Sequence, residues 1–124
     1  MVAPRPKQDL GAFGERVAGH RLEAAGMRVI ARNVRTAGGE IDLVAADGDD
    51  VVFVEVRTRR AAAGAAAESL GPAKLRRMWQ CAMDYCEAEG IAPERARIDV
   101  VSLDLGSGGR LEVVEHFRGI EIPG

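Results

Sequence analysis

The stretch from Gly38 to Arg60, G-G-E-I-D-L-V-A-A-D-G-D-D-V-V-F-V-E-V-R-T-R-R, limits most strongly what this chain can fold into. Two runs rich in Val, Ile, Leu and Phe flank Asp47-Gly48-Asp49-Asp50, residue types that tolerate the backbone angles of a tight turn. The segment predicts a β-hairpin. Side chains alternate faces along a strand. Glu40, Asp42 and Val44 therefore share one side of the first strand, with Ile41, Leu43 and Ala45 on the other. On the second strand Val51, Phe53, Glu55, Arg57 and Arg59 share a side, and Val52, Val54 and Val56 take the opposite one. With Gly48 and Asp49 as the loop, Asp42 stands opposite Glu55 and Glu40 opposite Arg57. With Asp47 and Gly48 as the loop, Glu55 moves opposite Glu40 and lies diagonal to Asp42. Both registers leave the acids together and Ile41, Leu43, Ala45, Val52, Val54 and Val56 as an apolar opposite face; only a slip of one residue separates the acids.

Like charges across a strand pair destabilise it. Val44, Val51 and Phe53 lie on the acids' own face, so that face is partly covered, and partly buried acids need a partner. A divalent cation is one such partner, because hard cations prefer carboxylate oxygens. Salt bridges among Glu40, Arg57 and Arg59 on a solvated sheet face are the alternative.

The chain has 124 residues, enough for one domain with a single core. No apolar run approaches the roughly 20 residues that span a bilayer, and Met1 to Asp9 lacks the apolar segment of a secretory signal. Cys81 and Cys86, five apart, form no C-x-x-C pair, which disfavours a zinc site or disulfide and points to a reducing cytoplasm. His20 and His116 read as ordinary surface or edge histidines. A net charge of −2 excludes a global basic field. The positive charge is local: Arg57, Arg59 and Arg60 follow the hairpin acids, and Lys74, Arg76 and Arg77 come after a short Ala/Gly-rich loop. Such clusters hold phosphates, and are also common as solvated element ends.

In chain order, residues 1–8 read as a flexible tail before one domain over 9–124. Asp9 caps a predicted helix to about Ala25, with Gly26 ending it and Leu10, Phe13, Val17, Arg21 and Ala24 as its stripe, widened by Ala18, Leu22 and Ala25. Glu15 lies at the edge of that stripe among small residues, so its carboxylate either reaches a neighbouring sheet or stays solvated. Met27–Thr36 alternates as a strand. After the hairpin, Arg60–Gly71 reads as a flexible loop, and Pro72–Ala88 as a second helix with Pro in its first turn and Trp79 in its buried stripe. Arg97–Leu105 and Arg110–Phe117 are the last strands, joined by a turn at Gly106–Gly109. The expected fold is α/β, a mixed five-stranded sheet flanked by helices in the order αβββαββ.

Several motifs occur in one order: G-x-x-G-E-x-x-A at Gly11–Ala18, R-N at Arg32–Asn33, G-E-I-D-L at Gly39–Leu43, F-V-E-V-R-T-R at Phe53–Arg59, K-x-x-R at Lys74 and R-I-D-V-V at Arg97–Val101. Together they resemble the YraN-like family over roughly residues 9–117. That resemblance implies a restriction-endonuclease-like fold related to Holliday junction resolvases, and a metal-dependent DNA endonuclease core of the PD-(D/E)XK type. Carried over, it makes Asp42 and Glu55 the metal-binding acids and Glu15 the helix glutamate that completes the site. The usual lysine falls on Arg57, which stays protonated and cannot act as a base; Lys74 is the candidate substitute.

The mechanism implied has Asp42 and Glu55 holding Mg²⁺ or Mn²⁺, with the carbonyl of Val56 and with Glu15 through water. Arg57 and Lys74 counter charge on the phosphate, and Arg57, Arg59, Arg60, Lys74 and Arg77 hold the nucleic-acid backbone, DNA being the expected partner. No membrane partner is expected, and a homodimer is left open. Two alternatives stay beside the nuclease: a catalytically silent nucleic-acid-binding module, and a protein–protein adaptor whose acids pair with Arg57 and Arg59.

Overall fold

A computed structural model of the chain describes residues 6–60 and 70–121, with side chains described for 11–59 and 70–121. The hairpin at its centre has the first of the two registers. β2 (Gly39–Asp47) and β3 (Asp50–Arg60) are joined by Gly48 and Asp49, and their antiparallel ladder runs from Asp47↔Asp50 to Leu43↔Val54. Gly48 has φ +58, a left-handed backbone that only glycine takes without cost, and it stands at the first loop position.

β1 (Arg28–Thr36) pairs antiparallel with β2. β4 (Ala96–Leu105) runs parallel to β3, and β5 (Leu111–Phe117) antiparallel to β4, giving a mixed sheet in the order β1-β2-β3-β4-β5. Two helices, α1 (Pro6–Ala24) and α2 (Pro72–Glu89), complete the expected αβββαββ order. Residues 61–69, most of the expected loop, and residues 1–5 of the expected tail lie outside the described residues.

Strand alternation sorts the core into two clusters. Val52 and Val54 pack with Leu43, Val101 and Leu103 under Ala18 and Leu22 of α1. Val51 and Phe53 pack with Val44 under Cys81, Ala82 and Cys86 of α2. The two helices therefore cover opposite faces of the sheet. Phe53 is 2% exposed and meets Tyr85 edge-to-face at 5.5 Å. Burial of such a ring contributes roughly 2–3 kcal/mol.

Four expectations need correction. α1 begins at Pro6, so Asp9 lies inside its first turn instead of capping it. Its buried line is Gly14, Ala18 and Leu22, while Arg21 and Ala24 are exposed: the stripe is rotated toward the small residues that let the helix approach the sheet. Ile41 packs with the α2-side cluster, not with Leu43 and Ala45. Ile41 and Val44, three apart, thus face the same way, so the alternation of β2 slips by one between them, next to Asp42. Glu40 pairs with Arg35, its neighbour across the β1–β2 ladder, at 4.0 Å, instead of with Arg57.

His116 is the fifth departure. Its side chain is 8% exposed, and its Nε2 lies 2.8 Å from Oδ2 of the fully buried Asp99. Arg97 donates to both Asp99 oxygens and pairs with Asp47 at 2.9 Å and Asp50 at 3.4 Å; the Gly119 amide donates to Asp99, and Arg118 to Asp47. Burial alone would raise the Asp99 pKa, but the bonds from Arg97, Gly119 and His116 outweigh it and hold the carboxyl below its usual range. This network ties the hairpin tip to β4 and to the segment after β5. An acid inside the apolar run R-I-D-V-V was the signal available for it.

Candidate functional site

The other end of the hairpin is where the acids meet. Asp42 is the next residue past the Leu43↔Val54 pair, and its Oδ2 accepts the Val56 backbone N–H at 2.8 Å. The side chain thus takes the place of a peptide carbonyl as partner of the β3 backbone. The Glu55 carboxyl lies close enough to act on it.

The Asp42 carboxyl is pushed toward its neutral form. Its pKa is raised from 3.8 to about 7, chiefly by burial and then by the neighbouring acids Glu55 and Glu15; the Val56 N–H works the other way. Glu15 is half-buried, and its charge reaches Asp42. It comes from α1, which can approach because Gly14 has no side chain: a Cβ there would clash with Thr58 Oγ1. Two acids from two other elements, Glu15 on α1 and Glu55 on β3, thus bear on Asp42 of β2. Among the described residues, however, no set of three His, Cys, Asp or Glu side chains is arranged closely enough to hold a metal by itself.

On the α2 side, Lys74 Nζ lies 3.3 Å from Glu55 Oε2, the glutamate being 15% exposed. An open groove of about 480 Å³ begins there, lined by Glu55, Val56, Arg57, Thr58, Arg59, Lys74 and Arg77. Lys74 and Arg77 come from the start of α2 and the rest from β3, because β3 points residues 55, 57 and 59 toward that helix. The structure brings together Glu55, Val56, Arg57, Arg59, Lys74 and Arg77 of the expected site in this groove, whose lining does not include Asp42 or Glu15. The Arg60 side chain lies outside the described residues. Trp79 is half-buried on α2 and is absent from the groove lining. Sequence reasoning did not find that Lys74 pairs with Glu55; nothing local signals a contact that depends on where the crossover returns.

Cys81 and Cys86 are both buried and free. Among the described residues, no helix is long and apolar enough to cross a membrane.

The chain is 44% identical over 122 residues to a UPF0102 protein of Kineococcus radiotolerans, a match covering 97% of this chain and 99% of that one. It is 47% identical to one of Symbiobacterium thermophilum over 103 residues, 82% of this chain and 87% of the relative. Among solved structures, that of Pyrococcus furiosus SfsA in complex with Ca²⁺ is similar at a TM-score of 0.46 and 17% identity, covering 94% of this chain and 65% of that one. With a family model matching residues 14–103 and relatives this similar along nearly their whole length, the chain belongs to the uncharacterised protein family UPF0102, the YraN family that its motifs resemble.

Proposed function

We propose that this protein is a metal-dependent DNA endonuclease of the PD-(D/E)XK type, using Mg²⁺ or Mn²⁺ and acting on branched or single-stranded DNA. The observation that carries the reading is the part-buried Asp42, its Oδ2 held by the Val56 N–H, with Glu55 beside it at the head of a groove bearing Arg57, Arg59, Lys74 and Arg77. The donor set fits a hard divalent cation. Asp42 and Glu55 offer carboxylate oxygens, and the like charges that raise Asp42 are those a cation between them would reverse. Asp42 and Glu55 would hold the ion directly, with the carbonyl of Val56 and, through water, Glu15. When bound, it supplies Lewis-acid polarisation of the scissile phosphate and a lower pKa for the attacking water.

The remaining work falls to the chain's own groups. The Val56 N–H fixes one Asp42 oxygen, so the carboxylate is oriented before any ligand arrives. Arg57 and Arg59 present charge on alternate residues of β3, and Lys74 and Arg77 on successive turns of α2, so a phosphodiester backbone in the groove is gripped from two sides. Arg57 steadies charge growing on the phosphate oxygens but accepts no proton. The free, buried cysteines suit a reducing cytoplasm.

A silent DNA-binding module is the second reading, favoured by the arginine at position 57 and by the Lys74–Glu55 ion pair, which already neutralises one acid. Cleavage of branched and linear DNA with Mn²⁺, alongside thermal melts with and without the metal, separates the two. The nuclease reading expects wild type to cleave and to gain stability with Mn²⁺. Asp42→Asn and Glu55→Gln should lose both. Absence of both in wild type would sink it.

A further inference from the structure

Lys74 occupies an unfavourable place. It is the third residue of α2, and the positive end of a helix dipole repels a cation in the first turn. The Gly71 N-cap supplies no side-chain bond, and the first turn holds no acid of its own. What holds the ammonium is Glu55 Oε2, 3.3 Å away on β3. That oxygen belongs to the carboxylate on which the metal reading depends.

We infer that Lys74 is an exchangeable counter-ion: it neutralises Glu55 in the metal-free protein, is displaced when a divalent cation takes that carboxylate, and then turns its ammonium to a phosphate in the groove. This rests on the proposed metal site. Several features fit the exchange. The Lys74 side chain is 41% exposed, so it can swing on its flexible stem without unpacking the helix. The groove it would swing into is open and is shared with Arg57, Arg59 and Arg77. An anion there lies beside the start of α2, where the helix dipole favours negative charge. Lys74 therefore opposes the metal while it is paired, and helps phosphate once it is released. Metal and phosphate occupancy are thereby linked through one side chain, and the linkage is reciprocal.

The test is calorimetric titration of Mn²⁺ into wild type, Lys74→Met and Arg77→Met without DNA. Arg77 lines the same groove but makes no ion pair with Glu55, so it measures the general effect of removing a positive charge. Both substitutions keep helix propensity high, and Lys74→Gln serves as a second, polar variant. Lys74→Met and Lys74→Gln should tighten Mn²⁺ binding at least about fivefold, the factor that an ion pair at the strong end of the exposed range represents. Arg77→Met should change it by less than about twofold. Equal or weaker binding by both Lys74 variants overturns the exchange while leaving the metal site standing, as does an equal gain in Arg77→Met. No Mn²⁺ binding by any variant overturns the metal site itself, and the exchange with it.

Discussion

Replacing Asp42 by asparagine should stabilise the metal-free protein at and above neutral pH, and by an amount that vanishes in mild acid. The folded carboxyl has a pKa of about 7 against 3.8 for the ordinary group. A raised carboxyl pKa means that ionisation costs the folded state. That cost is absent below about pH 4, grows as pH rises toward 7, and is complete above it. At about 1.4 kcal/mol per unit, the difference sets a ceiling of roughly 4 kcal/mol. Asp42 is only part-buried, so about 2 kcal/mol is the expected gain after screening. Asparagine keeps the shape and an oxygen for the Val56 N–H, which leaves the charge as the main change. Urea unfolding of both proteins in chelator, at intervals between pH 4 and 8, measures it. Asp99 also loses its stabilising charge in acid, but in both proteins, and so cancels in the difference. A variant less stable than wild type by the same amount at every pH would refute the argument, because Asp42 would then be stabilising through its bond to Val56 instead of carrying an uncompensated charge.

Asp99→Asn should cost about 3 kcal/mol by urea unfolding, because it removes the buried charge that Arg97 and His116 meet; a loss under about 1 kcal/mol would show that the network does not stabilise the fold. Gly14→Ala should destabilise by about 1–3 kcal/mol through the clash with Thr58 Oγ1, and Thr58→Ala should relieve most of it, since the next atoms, Thr58 Cβ and Val56 Cγ1, stand at 3.4 and 3.6 Å. Additive losses in that pair would contradict the close approach of α1. In a cleavage assay with Mn²⁺, Arg57→Lys should preserve or raise activity and Arg57→Ala should lower it, on the order of a hundredfold if it is the main group on the phosphate. If Lys74 has taken over that role, Lys74→Ala should be at least as damaging.

The parts of this fold legible in the sequence are those governed by local periodicity. Asp47-Gly48-Asp49-Asp50 marked the turn, and both loops it allowed kept Asp42 and Glu55 on one face, while the assembled ladder alone chose between the two registers. The same spacing misplaced Ile41, because alternation cannot reveal a slip next to a residue whose side chain bonds the neighbouring backbone. Glu40 went to Arg35 because β1 lies alongside it on the other edge of β2, a neighbour that the hairpin alone does not contain. His116 and Asp99 are 17 residues apart on adjacent strands, and Lys74 and Glu55 are joined only by the return of the crossover, so their pairing depends on the assembled sheet.

The bond from Val56 N–H to Asp42 Oδ2 gives the molecule an internal gauge of its own chemistry. An amide donating to a peptide carbonyl reports on little beyond the sheet. One donating to a titrating carboxyl feels every change of charge on it. The ¹⁵N–¹H resonance of Val56 should therefore move as Asp42 gains or loses its proton, and move again when a cation draws electron density from the same carboxylate. Its solvent exchange should slow or quicken with the strength of that single bond. One backbone signal, followed by nuclear magnetic resonance in unmodified protein, would then read protonation and ion occupancy at the acid pair without a substrate or a reaction.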